Sequence, residues 1–136
     1  MSTSSSRRLV ANYMFYLAIM LAGGTGVLLR YLLTRLTVHL GWSALPFGTI
    51  IANLVGCFLI GYLSWVLVHR WPVSPETQVV LTTGFLGGFT TFSAFSLEAL
   101  MMFEHGAEVK AFAYIALQVI LGISMCLLGL MLAKHA

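Results

Sequence analysis

All the charged residues of this chain stand outside four long uncharged runs, Leu9 to Leu29, Leu36 to His69, Thr77 to Leu97 and Ala111 to Ala133, which fill most of its 136 residues. A helix crosses roughly 30 Å of hydrocarbon with about 20 apolar residues. Each run is therefore long enough to span a bilayer, the second once Pro46 opens its helix, where the missing N–H of a proline costs nothing. Spans are expected at approximately residues 9–33, 46–69, 76–103 and 109–133 of a single membrane domain covering 1–136. Composition agrees: the chain is 60% apolar and 8% charged, against about 25% charged in soluble domains. The expected fold is an all-α, multi-pass integral membrane protein surrounded by the lipid bilayer. The short connections leave no room for a soluble catalytic or nucleotide-binding domain, so neither an enzyme nor a nucleic-acid partner is expected.

Arg7-Arg8 followed by an apolar stretch and Leu21-Ala22-Gly23 has the outline of a cleaved export signal. The run continues past those small residues to Leu29, which favours a first span that is retained. Cys57 and Cys126 fall inside spans at no metal-ligand spacing and read as buried free thiols. His39, His69, His105 and His135 stand at segment ends, where a hydrated interfacial place suits them better than a ligand set. No nucleophile-base motif is visible.

Lys and Arg near the spans decide how a membrane chain inserts. With both ends on one side, Arg7, Arg8, Arg70 and Lys134 oppose Arg30, Arg35 and Lys110, four against three. So even a count leaves both orientations accessible, and a chain inserting both ways can pair with an inverted copy of itself about an axis in the membrane plane. The expectation is an antiparallel, dual-topology homodimer. A fixed topology set by Arg7 and Arg8 is the alternative.

Small residues mark where helices approach closely. They are Ala22, Gly23, Gly24 and Gly26 in the first span, and Gly48, Ala52 and Gly56 at four-residue steps in the second. Thr49 and Asn53, also four apart, share a stripe beside that face. Asn53 either fastens two helices or lines a polar pathway. In the third run, Gly84, Gly87 and Gly88 lie within five residues beside Thr82, Thr83, Thr90, Thr91, Ser93 and Ser96. That composition predicts a span broken at mid-membrane from Gly84 to Thr91, a place where carbonyls attract cations and helix N-termini attract anions. Phe92 and Phe95 follow on one face with Ser93 between them. Core packing is the ordinary use of such rings, but a ring edge is electropositive and can meet a small anion without trapping it. Tyr114 and Gln118 form a second polar stripe in the last span, open to a fastening or a pathway role.

Three stretches carry a family resemblance: Ala22-Gly23-Gly24-Thr25-Gly26 leading to Arg30-Tyr31; Pro46-Phe47-Gly48-Thr49 with Asn53 and Gly56; and Thr83 to Ser93. In that order they resemble the Fluc (CrcB) family of fluoride channels, the third motif being highly specific. The resemblance implies a dual-topology dimer with two antiparallel fluoride pores and a central structural sodium ion, exporting fluoride passively across a microbial plasma (inner) membrane. It places the pore phenylalanines at Phe92 and Phe95, the pore asparagine at Asn53, and the sodium-binding carbonyls at Gly87 and Thr90. Tyr114 and Gln118 match its last-helix polar track approximately, and Arg30 matches an arginine near a wet vestibule. Ser93 and Thr49 complete the expected fluoride pathway. Ala94 departs from the family pattern, which commonly has a hydroxyl there, and this departure puts the ease of conduction in doubt.

Two rival functions fit parts of the sequence. A dual-topology small multidrug exporter suits the length and charge balance, but proton coupling needs an acid in a central cavity. The four acids are all glutamates: Glu76, Glu104 and Glu108 lie in loops and Glu98 stands near the end of the third span. A non-conducting structural membrane protein explains the small-residue packing but not the glycine cluster beside hydroxyls and aromatic rings.

Overall fold

A computed structural model describes residues 3–136, and among these all regular structure is helical. The elements are α1 (Thr3–His39), α2 (Phe47–His69), α3 (Pro75–Val79), a π-helical stretch (Val80–Leu86), α4 (Gly87–Phe89), α5 (Phe92–Glu104) and α6 (Glu108–His135). Four stretches are long and apolar enough to cross a membrane: Ser6–His39, Phe47–His69, Pro75–Glu104 and Glu108–His135. The first helix extends beyond its expected bounds of 9–33 at both ends, because nothing from the Ser-rich head to Leu40 terminates it; Gly41, with φ +76°, provides the stop. Ser74 caps α3 by accepting from the Thr77 N–H at 3.2 Å, with Pro75 in the first turn.

α2 packs most extensively against α6, α1 against the π-helical stretch and α4, and α5 against α6. Glycines set these approaches. A Cβ on Gly61 would collide with the Cys126 carbonyl and one on Gly129 with the Phe58 carbonyl, so α2 and α6 meet backbone to backbone. The sequence does not distinguish this α2–α6 seam from the small-residue face of Gly48, Ala52 and Gly56. That second face turns the other way: Gly48 lies against Thr34 of α1 and Gly56 against the Thr90 side chain. The buried cluster of Ile50, Phe95, Ala99 and Tyr114 is small. Large apolar side chains such as Leu28, Leu97, Ile123 and Leu127 stand outward instead, as a lipid-facing surface requires.

The backbone of the third stretch differs from the expected unwinding across the glycines. Helical geometry persists through Gly84, Gly87 and Gly88, and the chain turns extended only at Thr90 (φ −83°, ψ 160°) and Thr91 (φ −152°, ψ 122°) before α5 begins at Phe92. The glycines serve packing instead. A Cβ on Gly88 would collide with the Gly23 carbonyl, and one on Gly26 with the Phe85 carbonyl and the Phe89 nitrogen. The extended geometry falls to two threonines, β-branched residues that accept it readily.

Candidate functional site

Two extended residues remove backbone groups from helical pairing, and away from water such groups need partners. The Thr90 N–H still reaches the Leu86 carbonyl at 2.9 Å, and Asn53 supplies the partners of Thr91. Its Oδ1 accepts the Thr91 N–H at 2.8 Å, and its Nδ2 donates to the Thr91 carbonyl at 3.1 Å. The Thr91 hydroxyl in turn accepts the Ala94 N–H at 3.2 Å and caps α5. Asn53 Nδ2 also lies 3.3 Å from Oε1 of Gln118, whose Nε2 donates to the Tyr114 hydroxyl at 3.2 Å. Tyr114 donates to Oε2 of Glu98 at 2.6 Å, and Thr49 donates to Oε1 of the same carboxylate at 2.7 Å. Six residues from α2, α5, α6 and the extended link thus form one unbroken track: Thr49, Glu98, Tyr114, Gln118, Asn53 and Thr91.

The track joins two clefts. Thr49 and Glu98 border one of about 570 Å³, which opens where α1 ends and α6 begins and is also lined by Trp42, His105 and Lys110. Asn53, Thr91 and Gln118 border the other, of about 400 Å³, together with Gly87, Thr90, Phe92 and Phe95. Tyr114 and Gln118 are buried, so the stretch between the clefts runs through protein. The Phe95 ring is buried and tilted 52° to the Tyr114 ring at 5.4 Å, while Phe92 is 79% exposed and lies 5.5 Å from Phe95.

Of the residues picked out in the sequence, Thr49, Asn53, Tyr114 and Gln118 lie on the track, and Phe92 and Phe95 border it. Gly87 and Thr90 border the second cleft together. Ser93 is exposed and reaches the track only through the Thr91 hydroxyl at 3.3 Å. Arg30 is not brought to the track. It lies within α1, nine residues before that helix ends, and its Nε approaches the Gly88 carbonyl at 3.4 Å. Glu98 is the residue that sequence reasoning missed. It stands toward the end of the third stretch, as expected, but midway along α5, and there it holds two hydroxyl donors. Its signal was available: Glu98 is three residues after Phe95, hence on the same helical face.

Four membrane-length helical stretches around a partly buried polar track joining two clefts define a helical membrane protein with a transport-type interior. Comparison narrows that class. Residues 17–130 match the family described as CrcB-like protein, Camphor Resistance (CrcB), and the chain belongs to this family. It is 44% identical over 112 residues to the fluoride-specific ion channel FluC of Rhizobium etli (strain CIAT 652), covering 82% of this chain and 90% of that one. A protein of the same name from Rhizobium meliloti (strain 1021) is 43% identical over 82% of this chain and 90% of its own. The one from Legionella pneumophila (strain Paris) is 38% identical over 88% and 90%.

Proposed function

We propose that this chain is a fluoride-selective channel that lets the ion leave the cell passively across the plasma membrane. The observation that carries the reading is the track from Thr49 to Thr91, which offers hydrogen-bond donors from one cleft to the other and includes no cationic side chain. Relatives named as fluoride-specific channels supply the ion. A fluoride entering at Thr49 meets hydroxyl protons that Glu98 otherwise holds, and then the amide protons of Gln118 and Asn53. These replace part of the water it sheds, and the Phe95 edge adds to them without a fixed charge that would hold the ion back. Chloride is larger and fits the buried passage between the clefts less well.

The same reading makes the channel an antiparallel dual-topology homodimer, with the two-residue link at Thr90 and Thr91 as a mid-membrane break in its third span and one pore on each side of the twofold axis. The exposed Phe92 and the open second cleft support it, since a second chain can cover both. A structural sodium ion fits between the copies. Thr90 has left helical geometry, so its carbonyl points away from the helix axis, and Gly87 brings bare backbone to the same cleft. Neutral oxygens without a carboxylate suit a monovalent cation. Bound there, sodium would hold the two links together.

Flux from proteoliposomes tests these points. Fluoride efflux well above chloride efflux, without an imposed proton gradient, is the expected result; efflux only under a proton gradient would make Glu98 the coupling acid of an exporter instead. Phe95→Ile and Phe92→Ile, which keep bulk and remove the quadrupole, are each expected to cut fluoride efflux at least tenfold, and unchanged efflux in both would reduce the rings to packing. Prolonged exchange into sodium-free medium should silence the channel until sodium is restored, and full activity without sodium would remove that ion from the proposal.

A further inference from the structure

The track leaves unused a second group of polar side chains, at the far end of α2 and α6. There the Trp65 and His69 rings stack with centroids 3.8 Å apart, and the Lys134 ammonium lies 5.0 Å from the centroid of the same Trp65 ring. His69 Nδ1 donates to the Trp65 carbonyl at 3.1 Å, which fixes the imidazole against the helix. Arg70 and Trp71 follow directly, both exposed, and Lys134 and His135 are exposed on the facing helix. α2 has no acidic residue, and the one acid of α6, Glu108, stands at its opposite end. Because α2 and α6 touch backbone to backbone at Gly61 and Gly129, the two ends are held in register before any ligand arrives.

Tryptophan and basic side chains together at the ends of spanning helices mark the headgroup level of a bilayer, where each Lys or Arg strengthens attraction to anionic lipid. A free phosphate would need only the cations. Here Val68, Met131 and Leu132, each about half exposed, continue the surface from the cations along the helices, where an acyl chain can lie. We propose that this end of the α2–α6 pair binds an anionic phospholipid, its phosphate held by Lys134 and Arg70 and its ester region lying against Trp65 and Trp71. The site rests on the membrane-spanning helices and is independent of fluoride conduction.

The test uses the full chain with Trp42→Phe, which leaves tryptophans only at the proposed site, in phosphatidylcholine nanodiscs doped with brominated-chain phosphatidylglycerol. Tryptophan quenching should reach half its maximum at a mole fraction at least fivefold lower than with brominated phosphatidylcholine. Lys134→Gln with Arg70→Gln should abolish that preference, each lost charge weakening binding about fivefold. Lys134→Arg with Arg70→Lys should keep it. Equal quenching by the two lipids in the parent, or a preference surviving the Gln pair, would overturn the site. Glycerol 3-phosphate at millimolar concentration should not compete; full competition would make this a soluble-phosphate site and overturn the lipid assignment.

Discussion

Asn53 uses both ends of its amide to repair the extended link, and its Nδ2 also reaches Gln118. Removing it leaves the N–H and C=O of Thr91 without those partners, and unsatisfied buried groups cost about 1–3 kcal/mol. Asn53→Ala is therefore expected to lower the thermal midpoint in detergent by several degrees, followed by circular dichroism, and to stop fluoride efflux. An unchanged midpoint would show that Thr91 is satisfied by other groups. Such an amide was legible in the sequence because an Asn inside an uncharged run needs a partner, whether it fastens two helices or lines a pathway. Its partners were half legible: Tyr114 and Gln118 announced themselves by their spacing, but Thr91 as an acceptor depends on a backbone turn with no pattern of its own. Glu98 was left out of the site for a physical reason. Charge was used to mark span ends, and an acid held by two hydroxyls inside a bundle violates that premise.

Among the elements, glycine carries the packing and threonine the irregularity. Gly88 lies under the Gly23 carbonyl, whereas a Cβ on Gly24 would meet nothing within 4 Å. Gly88→Ala is expected to destabilise the chain by about 1–3 kcal/mol through overpacking. Gly24→Ala, in a helix interior with open space, should stabilise it by about 0.5–1 kcal/mol. Thermal unfolding of the two variants side by side checks the contrast, and equal effects would mean that the α1 approach is not set by Gly88. The sequence marked Gly23 and Gly24 alike as contact points and read Gly88 as part of a break, since only a neighbouring helix reveals which face is covered. The π-helical stretch from Val80 to Leu86 was invisible beforehand, because one residue more per turn leaves no signature in composition.

For the whole molecule, α1 is about 55 Å long at 1.5 Å per residue over its 37 residues, well beyond the hydrocarbon core. Its basic residues are therefore spread along the helix, with Arg30 lying inside it rather than in a loop, and the balance of four against three depends on so few charges that small changes should tip it. Reporters attached to Ala136 are expected on both sides of the membrane in comparable amounts, and several lysines added beside Lys110 should collect them on one side. A native population in a single orientation would defeat the dual-topology proposal. The hydrogen bonds of Asn53 also have a consequence for the order in which the chain is made. Thr91 follows Asn53 by 38 residues, so at about 5–20 residues per second the ribosome delivers it roughly 2–8 s later. Asn53 therefore leaves the ribosome that long before Thr91 does, and until Thr91 follows, the apolar length around Asn53 must hold α2 in the bilayer with its amide unanswered.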